Sequence, residues 1–210
     1  DPRSVRSRSA LIDTMTELLD SEVALESLSV TDIVRHAGVS RPTFYQHFGE
    51  VSLLVRAAAV HRLADTFAEI PDVAYGESWT TFARGTFHGL LTHLRDHVSF
   101  YKKAFVSAGS QALSEDVIDL IAARLLEVSP LVPILRNPSH AARPEDRALF
   151  LAAGTFWHVI RWLDSDFTGS NSVDAMVDRI SVLLLTAAGV TDSEVAAVRA
   201  QVDLGSGGTT

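Results

Sequence analysis

Several side chains sit at spacings that chemistry can use. His88, His93 and His97 lie in one helical stretch with Asp96. His93 and His97, four apart, fall on one helix face, where two imidazoles can share a metal. The stretch lacks the Glu of a His-Glu-x-x-His pattern, so no general base for metal-assisted hydrolysis accompanies them. No Gly-x-Ser-x-Gly elbow and no phosphate-cradling glycine loop occurs. The chain has no cysteine, which removes disulfides, thiolate metal sites and cysteine catalysis. The expectation is therefore no enzyme, no metal and no cofactor, with a His-based metalloenzyme as the weakest rival. The denser signal is cationic. Residues 29–62 carry Arg35, Arg41, Arg56 and Arg62 against Asp32 and Glu50, and Arg3, Arg6 and Arg8 stand near the start beside Asp1. The whole chain has a formal net charge of −8. A basic end on an acidic body fits a local nucleic-acid patch better than a protein that coats nucleic acid.

The elements that would position these groups are helical throughout. Leu11, Met15, Leu18 and Leu19 make an apolar stripe and predict a helix over 4–21. Ser29-Val30-Thr31-Asp32 fits a capping box, a hydroxyl N-cap with a carboxylate three residues on. Ile33, Val34 and Ala37 then form an apolar face, and Gly38 ends the helix. Ser40 is the next N-cap, and Pro42 falls in the first turn, where its missing N–H is harmless. Phe44 and Phe48 face one way, and Gly49 closes this helix. The result reads as helix, tight turn, helix. A longer helix is expected over 50–70, with Leu53, Leu54, Ala57, Ala58 and Leu63 inward. Further helices are expected over 78–96, 99–107, 110–128, 143–164 and 172–188, and a short one over 192–202. Breakers fall at 71–76, Gly109, 130–144 and 169–171, and 205–210 reads as a disordered tail. No alternating strand pattern and no internal repeat is found. No apolar run approaches the ~20 residues of a membrane span, and the first residues lack the apolar core of a signal peptide. No membrane partner is expected, and the cytoplasm is the expected location.

The stretch from Leu28 to Phe48, LSVTDIVRHAGVSRPTFYQHF, resembles the DNA-binding signature of TetR-type transcriptional regulators. The likeness is dense over some twenty consecutive positions and extends over the first ~65 residues. The segments 150–163 and 172–185 more weakly resemble the family's last helix pair. One position departs: Val51 stands where the family often has a Lys at the start of the next helix, which removes one phosphate contact. The resemblance implies an all-α fold of about nine to ten helices. A three-helix helix-turn-helix domain over 1–50 would precede a helical effector-binding and dimerisation domain over 51–204 and the tail over 205–210. It implies a homodimer on an inverted-repeat DNA operator, most often a repressor released by a small, largely apolar effector. The alternative is a helical ligand-binding or protein-interaction module with weakened DNA binding.

On that resemblance the recognition helix is 40–48. Arg41 suits guanine O6 and N7, Gln46 suits adenine N6 and N7, and Pro42 suits a thymine methyl. Ser29, Ser40, Thr43, Tyr45 and His47 suit phosphate oxygens. Arg3, Arg6 and Arg8, ahead of the first helix, would form an arm in the minor groove or along the backbone. Phe67, Trp79, Phe82, Phe87 and Leu91 would line an effector pocket together with Tyr101, Phe105, Ile121, Leu125 and Phe156. Phe150, Gly154, Trp157 and Ile160 on one helix would form the dimer interface with Met176, Ile180, Leu183 and Leu184 on the next.

Overall fold

The computed structural model describes residues 2–70, 79–106, 110–138 and 141–190, and every regular element among them is helical. In chain order the α-helices are α1 (Pro2–Asp20), α2 (Val30–Ala37), α3 (Arg41–His47), α4 (Val51–Glu69), α5 (Trp79–Phe82) and α6 (Gly89–Asp96). They continue as α7 (Val98–Val106), α8 (Ser110–Glu127), α9 (Val132–Leu135), α10 (Pro144–Trp162) and α11 (Val173–Ala188). Short 3-10 turns occupy Leu25–Ser27 and Gly169–Asn171. The expected helix over 192–202, the tail and the breaker at 71–76 lie outside the described residues.

The chain divides into two compact units. One comprises residues 1–68 and 96–116, the other 69–95 and 117–210. In the first, α1 packs on α2, α3 and α7, and α2 packs on α3. Its core joins Leu11, Met15 and Leu19 of α1 to Ile33, Phe44, Leu54, Ala58, Phe100 and Tyr101, all essentially inaccessible to water. Removing such apolar surface from water is the main favourable term in holding short helices that would be marginal alone. Lys103 of α7 donates to the Leu19 carbonyl (3.1 Å) and to the Ser21 carbonyl. A cation there satisfies orphan carbonyls at the negative end of the α1 dipole.

In the second unit α10 packs on α11 and α9, and α11 packs on the segment that joins α5 to α6. That joining segment, Ala83–His88, is a π-helix. The wider turn inserts a residue and shifts the inward stripe, so Phe82, Ala83 and Thr86 are followed inward by Leu91 and Leu94. Arg147 of α10 donates to the carbonyls of Ile134 (2.8 Å) and Leu135 (3.1 Å) at the end of α9. It also donates to the Ala188 carbonyl (3.1 Å) at the end of α11. One guanidinium thus closes two helix C-termini.

Three expectations are corrected. Residues 132–135 form a helical turn inside a stretch read as a breaker, because Pro133 sits in its first turn, where a proline is tolerated. Leu53 is exposed rather than inward, since the buried stripe of α4 runs through Leu54, Val55, Ala58, Ala59 and Leu63. Arg3, Arg6 and Arg8 do not precede the first helix. α1 begins at Pro2 and includes all three, because Pro is pre-set for a first helical turn and the Ser7 hydroxyl bonds back to the Arg3 carbonyl (3.0 Å).

Candidate nucleic-acid interface

The interface is built from local caps. Ser29 Oγ accepts from the Asp32 amide (3.2 Å), and the Ser29 amide and hydroxyl donate to Asp32 Oδ2 at 3.4 and 2.5 Å. The capping box read from the sequence is complete. Hydrogen bonding from the Ser29 hydroxyl, then its amide, holds the Asp32 carboxyl below the usual carboxylate range. Arg35 pairs with the other carboxylate oxygen at 2.8 Å. Gly38 takes the left-handed conformation (φ +64°) that ends α2. The Val39 amide reaches back to the Val34 carbonyl at 3.0 Å. Ser40 then caps α3 through the Thr43 amide (3.3 Å), with its hydroxyl 2.7 Å from Thr43 Oγ1.

These caps aim α3. Phe44 and Phe48 are buried in the first unit, and the Tyr45 ring stands edge-on to Phe44 at 5.4 Å between centroids. With that side anchored, Arg41, Pro42, Tyr45 and Gln46 are exposed on the other, and Thr43 and His47 are half-buried. Tyr45 leaves 50% of its surface open to water.

The cations divide into spent and available ones. Arg56 makes a bidentate pair with Asp116 at 2.5 and 2.6 Å. Arg62 reaches both Asp20 oxygens through one nitrogen, Nη1, at 2.9 and 2.8 Å. The positive charge counted over 29–62 is thus largely neutralised by acids distant in sequence. Arg41 has no carboxylate partner among the described residues. Its guanidinium donates to Thr31 Oγ1 (3.3 Å) and to the Tyr45 hydroxyl (3.5 Å). Both are long, exposed bonds that a base edge or phosphate can replace. Arg8 lies over the Phe48 ring, 5.5 Å from its centroid, which places a cation of α1 beside the end of α3.

Two details were not visible in the sequence reading. The Ser29 hydroxyl donates its hydrogen bond to Asp32 Oδ2, so it cannot donate to a phosphate without opening the cap. Thr31 Oγ1 accepts from Arg41 and keeps its own proton, so it is the hydroxyl of α2 poised to donate. A threonine in the first turn of the helix before the recognition helix was the available signal. At the start of α4, Glu50 accepts from the Ser52 hydroxyl (2.5 Å), and its charge opposes a phosphate where Val51 already offers none.

A search over known families matches residues 16–58 to the model of bacterial regulatory proteins, tetR family. This is a TetR-family helix-turn-helix. The TetR-type module is the part of the chain that holds α2, α3 and the caps just described. A solved TetR-family transcriptional regulator from Streptomyces coelicolor resembles the chain in fold, with a TM-score of 0.56. The two share 20% sequence identity over 94% of this chain and 88% of the other. No curated protein matches the chain in sequence. The chain's fold is similar to that of this solved regulator, and no helix among the described residues is long and apolar enough to cross a membrane.

The remaining residues singled out in the sequence divide by unit. Phe67, Tyr101 and Phe105 belong to the first unit, and Trp79, Phe82, Phe87, Leu91, Ile121, Leu125 and Phe156 to the second. Trp79, Phe82 and Phe87 form a mutual ring cluster with centroids 5.5 to 6.0 Å apart. Along α10 and α11, Phe150, Gly154, Trp157 and Leu183 are exposed and Ile160 is half-buried, while Met176, Ile180 and Leu184 lie in the protomer's own core. The histidines serve separate partners: His88 stands 3.5 Å from Asp174, and His97 stands 3.6 Å from Asp20. No group of three metal-binding side chains gathers among the described residues.

Proposed function

We propose that the protein is a ligand-released repressor that acts in the cytoplasm, binding an inverted-repeat operator as a homodimer. The observation that carries this reading is the outer face of α3: an arginine without a carboxylate partner among the described residues, a proline, a tyrosine and a glutamine, held outward by two buried phenylalanines. Arg41 and Gln46 would read base edges, each good bidentate pair contributing about 1–3 kcal/mol of discrimination. Pro42 would meet a thymine methyl. Thr43, Tyr45, His47 and Ser40, with Thr31, would hold phosphates and set the register. Ser29 serves mainly through its cap. Arg3, Arg6 and Arg8 would meet the backbone from the first turns of α1 rather than as an arm.

One short helix reads few bases, so the reading requires a pair. Two copies related by a two-fold axis would place their recognition helices about 34–36 Å apart, or a multiple of that, on successive major grooves. The exposed apolar side of α10 and α11 supports such pairing, since large exposed apolar patches mark association surfaces. The division of labour would be DNA reading by 1–50 and effector binding and dimerisation by 51–204. A small, largely apolar effector would sit against Trp79, Phe82, Phe87 and the neighbouring apolar side chains of the second unit. It would favour a conformation with mis-spaced recognition helices, opposing DNA through a coupling free energy of typically ~1–3 kcal/mol.

The test is selection of bound fragments from a random DNA pool at about 150 mM salt, where nonspecific phosphate binding is suppressed. The native protein is run beside a protein carrying Arg41→Ala and Tyr45→Ala. An enriched inverted repeat that disappears with the double substitution is expected. Enrichment that survives it would overturn the assignment of α3. Absence of any enrichment, after denaturation and refolding free of ligand, would favour the interaction-module alternative.

A further inference from the structure

Two tryptophans of the second unit are buried, and their indoles differ. Nε1 of Trp162 donates to the Asn171 carbonyl at 2.6 Å. Trp79 is 8% exposed, and its Nε1 has no hydrogen-bond partner among the described residues. An indole nitrogen can only donate, so the missing partner is an acceptor. A buried donor left unpaired gives up its hydration without return, and such groups are rare in folded proteins.

Two hydroxyls of the same unit share this condition. Elsewhere in the chain helical threonines donate to the carbonyl one turn back: Thr16 to Ile12, Thr66 to Arg62 and Thr155 to Leu151, at 2.8 to 3.0 Å. Thr92 and Ser181 do not. Both hydroxyl oxygens are shielded from water and unpartnered among the described residues. Ser181 is buried on α11, the helix that packs on Ala83–His88. The second unit therefore holds spare donors.

The π-helix sets an aromatic wall beside the indole. Phe82 and Phe87 are five residues apart. On an α-helix of about 3.6 residues per turn they would stand about 140° apart. The i→i+5 turn of Ala83–His88 brings them together instead, with ring centroids 5.6 Å apart and planes at 80°. Trp79 completes the group at 5.5 Å from Phe82 and 6.0 Å from Phe87. Phe87 is only half-buried, so the group is reachable from outside. No charged side chain is buried among the described residues. An ionised guest would lose its hydration with no opposite charge to replace it.

We infer that the effector is a neutral aromatic carbonyl compound, with its ring against Trp79, Phe82 and Phe87 and its carbonyl oxygen accepting from Trp79 Nε1. This deepens the reading of the protein as ligand-released and rests on it. A hydrocarbon of the same shape would leave the indole N–H unpaired, and an acid would find no cation. A site with a buried donor discriminates against guests that lack the matching acceptor.

Coumarin, naphthalene and naphthoate are probes of similar size: a neutral carbonyl compound, a hydrocarbon and an anion. Equilibrium dialysis against the full native chain should show coumarin bound about tenfold more tightly than naphthalene, the scale of one net hydrogen bond, with naphthoate the weakest. In Trp79→Phe, which keeps a ring in place, the coumarin and naphthalene affinities should become equal. The comparison on the native chain stands whether or not that variant folds. In proton–nitrogen correlation spectra, the indole signal absent from Trp79→Phe should move downfield with coumarin and not with naphthalene. A preference for coumarin that survives Trp79→Phe would overturn the role of the indole. Equal native affinities for coumarin and naphthalene, or tightest binding of naphthoate, would overturn the neutral carbonyl class while leaving an effector site in place. Binding of none of the three up to its solubility limit would overturn the effector reading itself, and the carbonyl class with it.

Discussion

Replacing Arg62 by Met should destabilise the first unit by about 1.5–3 kcal/mol. Arg62 sits where α1, α4 and α7 meet. It donates twice to Asp20 and lies 2.7 Å from His97 Nδ1. Its guanidinium carbon also stands 4.5 Å above the Phe100 ring. Breaking a fully buried pair costs ~3–5 kcal/mol, and an exposed pair contributes less than ~1 kcal/mol. This pair lies between, because the Arg62 side chain is 15% exposed and that of Asp20 is 38% exposed. The carboxylate left behind regains water, so the lost pair accounts for about 1–2 kcal/mol. Losing the cation above Phe100 adds about 0.5–1 kcal/mol. Met keeps the apolar contacts of the arginine stem, so little else changes. The assay is urea unfolding followed by far-UV circular dichroism, with Asp20→Asn and the double variant completing a thermodynamic cycle. The coupling between the two positions should fall within the ~0.5–3 kcal/mol seen for residues in one network. It should persist in 0.5 M salt, because a partly buried pair is screened less than a surface pair. A loss below about 0.5 kcal/mol, the scale of a surface substitution, would refute the claim that this junction holds α1 against α4 and α7.

Two further outcomes follow from the recognition module. Phe44→Ala should cost about 3–5 kcal/mol, because the ring is wholly buried; DNA affinity should collapse although Phe44 faces away from DNA, and unchanged thermal unfolding would contradict its anchoring role. Ser29→Ala should cost roughly 1 kcal/mol at neutral pH through loss of the α2 cap. The folded-state carboxyl of Asp32 titrates below its ordinary range, so the stability it supplies is present above that range and is lost as pH falls through the lowered value. The gap between native and Ser29→Ala melting temperatures should therefore hold down to the ordinary carboxylate range and close below it. A gap that closes near neutral pH would contradict the cap.

The helix-turn-helix was legible because each of its signals acts within a few residues. A serine cap, its carboxylate three positions on, a glycine that tolerates positive φ and a proline in a first turn fix backbone geometry locally. The period of the apolar residues then fixes which side of α3 turns inward, so Phe44 and Phe48 fell inside and Arg41, Pro42, Tyr45 and Gln46 outside. The arginines behaved differently. Composition counted Arg56 and Arg62 as part of a basic patch. Their partners, Asp116 and Asp20, lie 60 and 42 residues away, a distance over which no local pattern carries information. The same limit applies to α10 and α11. Both read as apolar stripes with one period, and period alone does not say which apolar residues pack within the chain. Only the packed structure sends Met176, Ile180 and Leu184 into the protomer's core. It leaves Phe150, Gly154 and Trp157 outside, because one side of each helix was already covered by its neighbour.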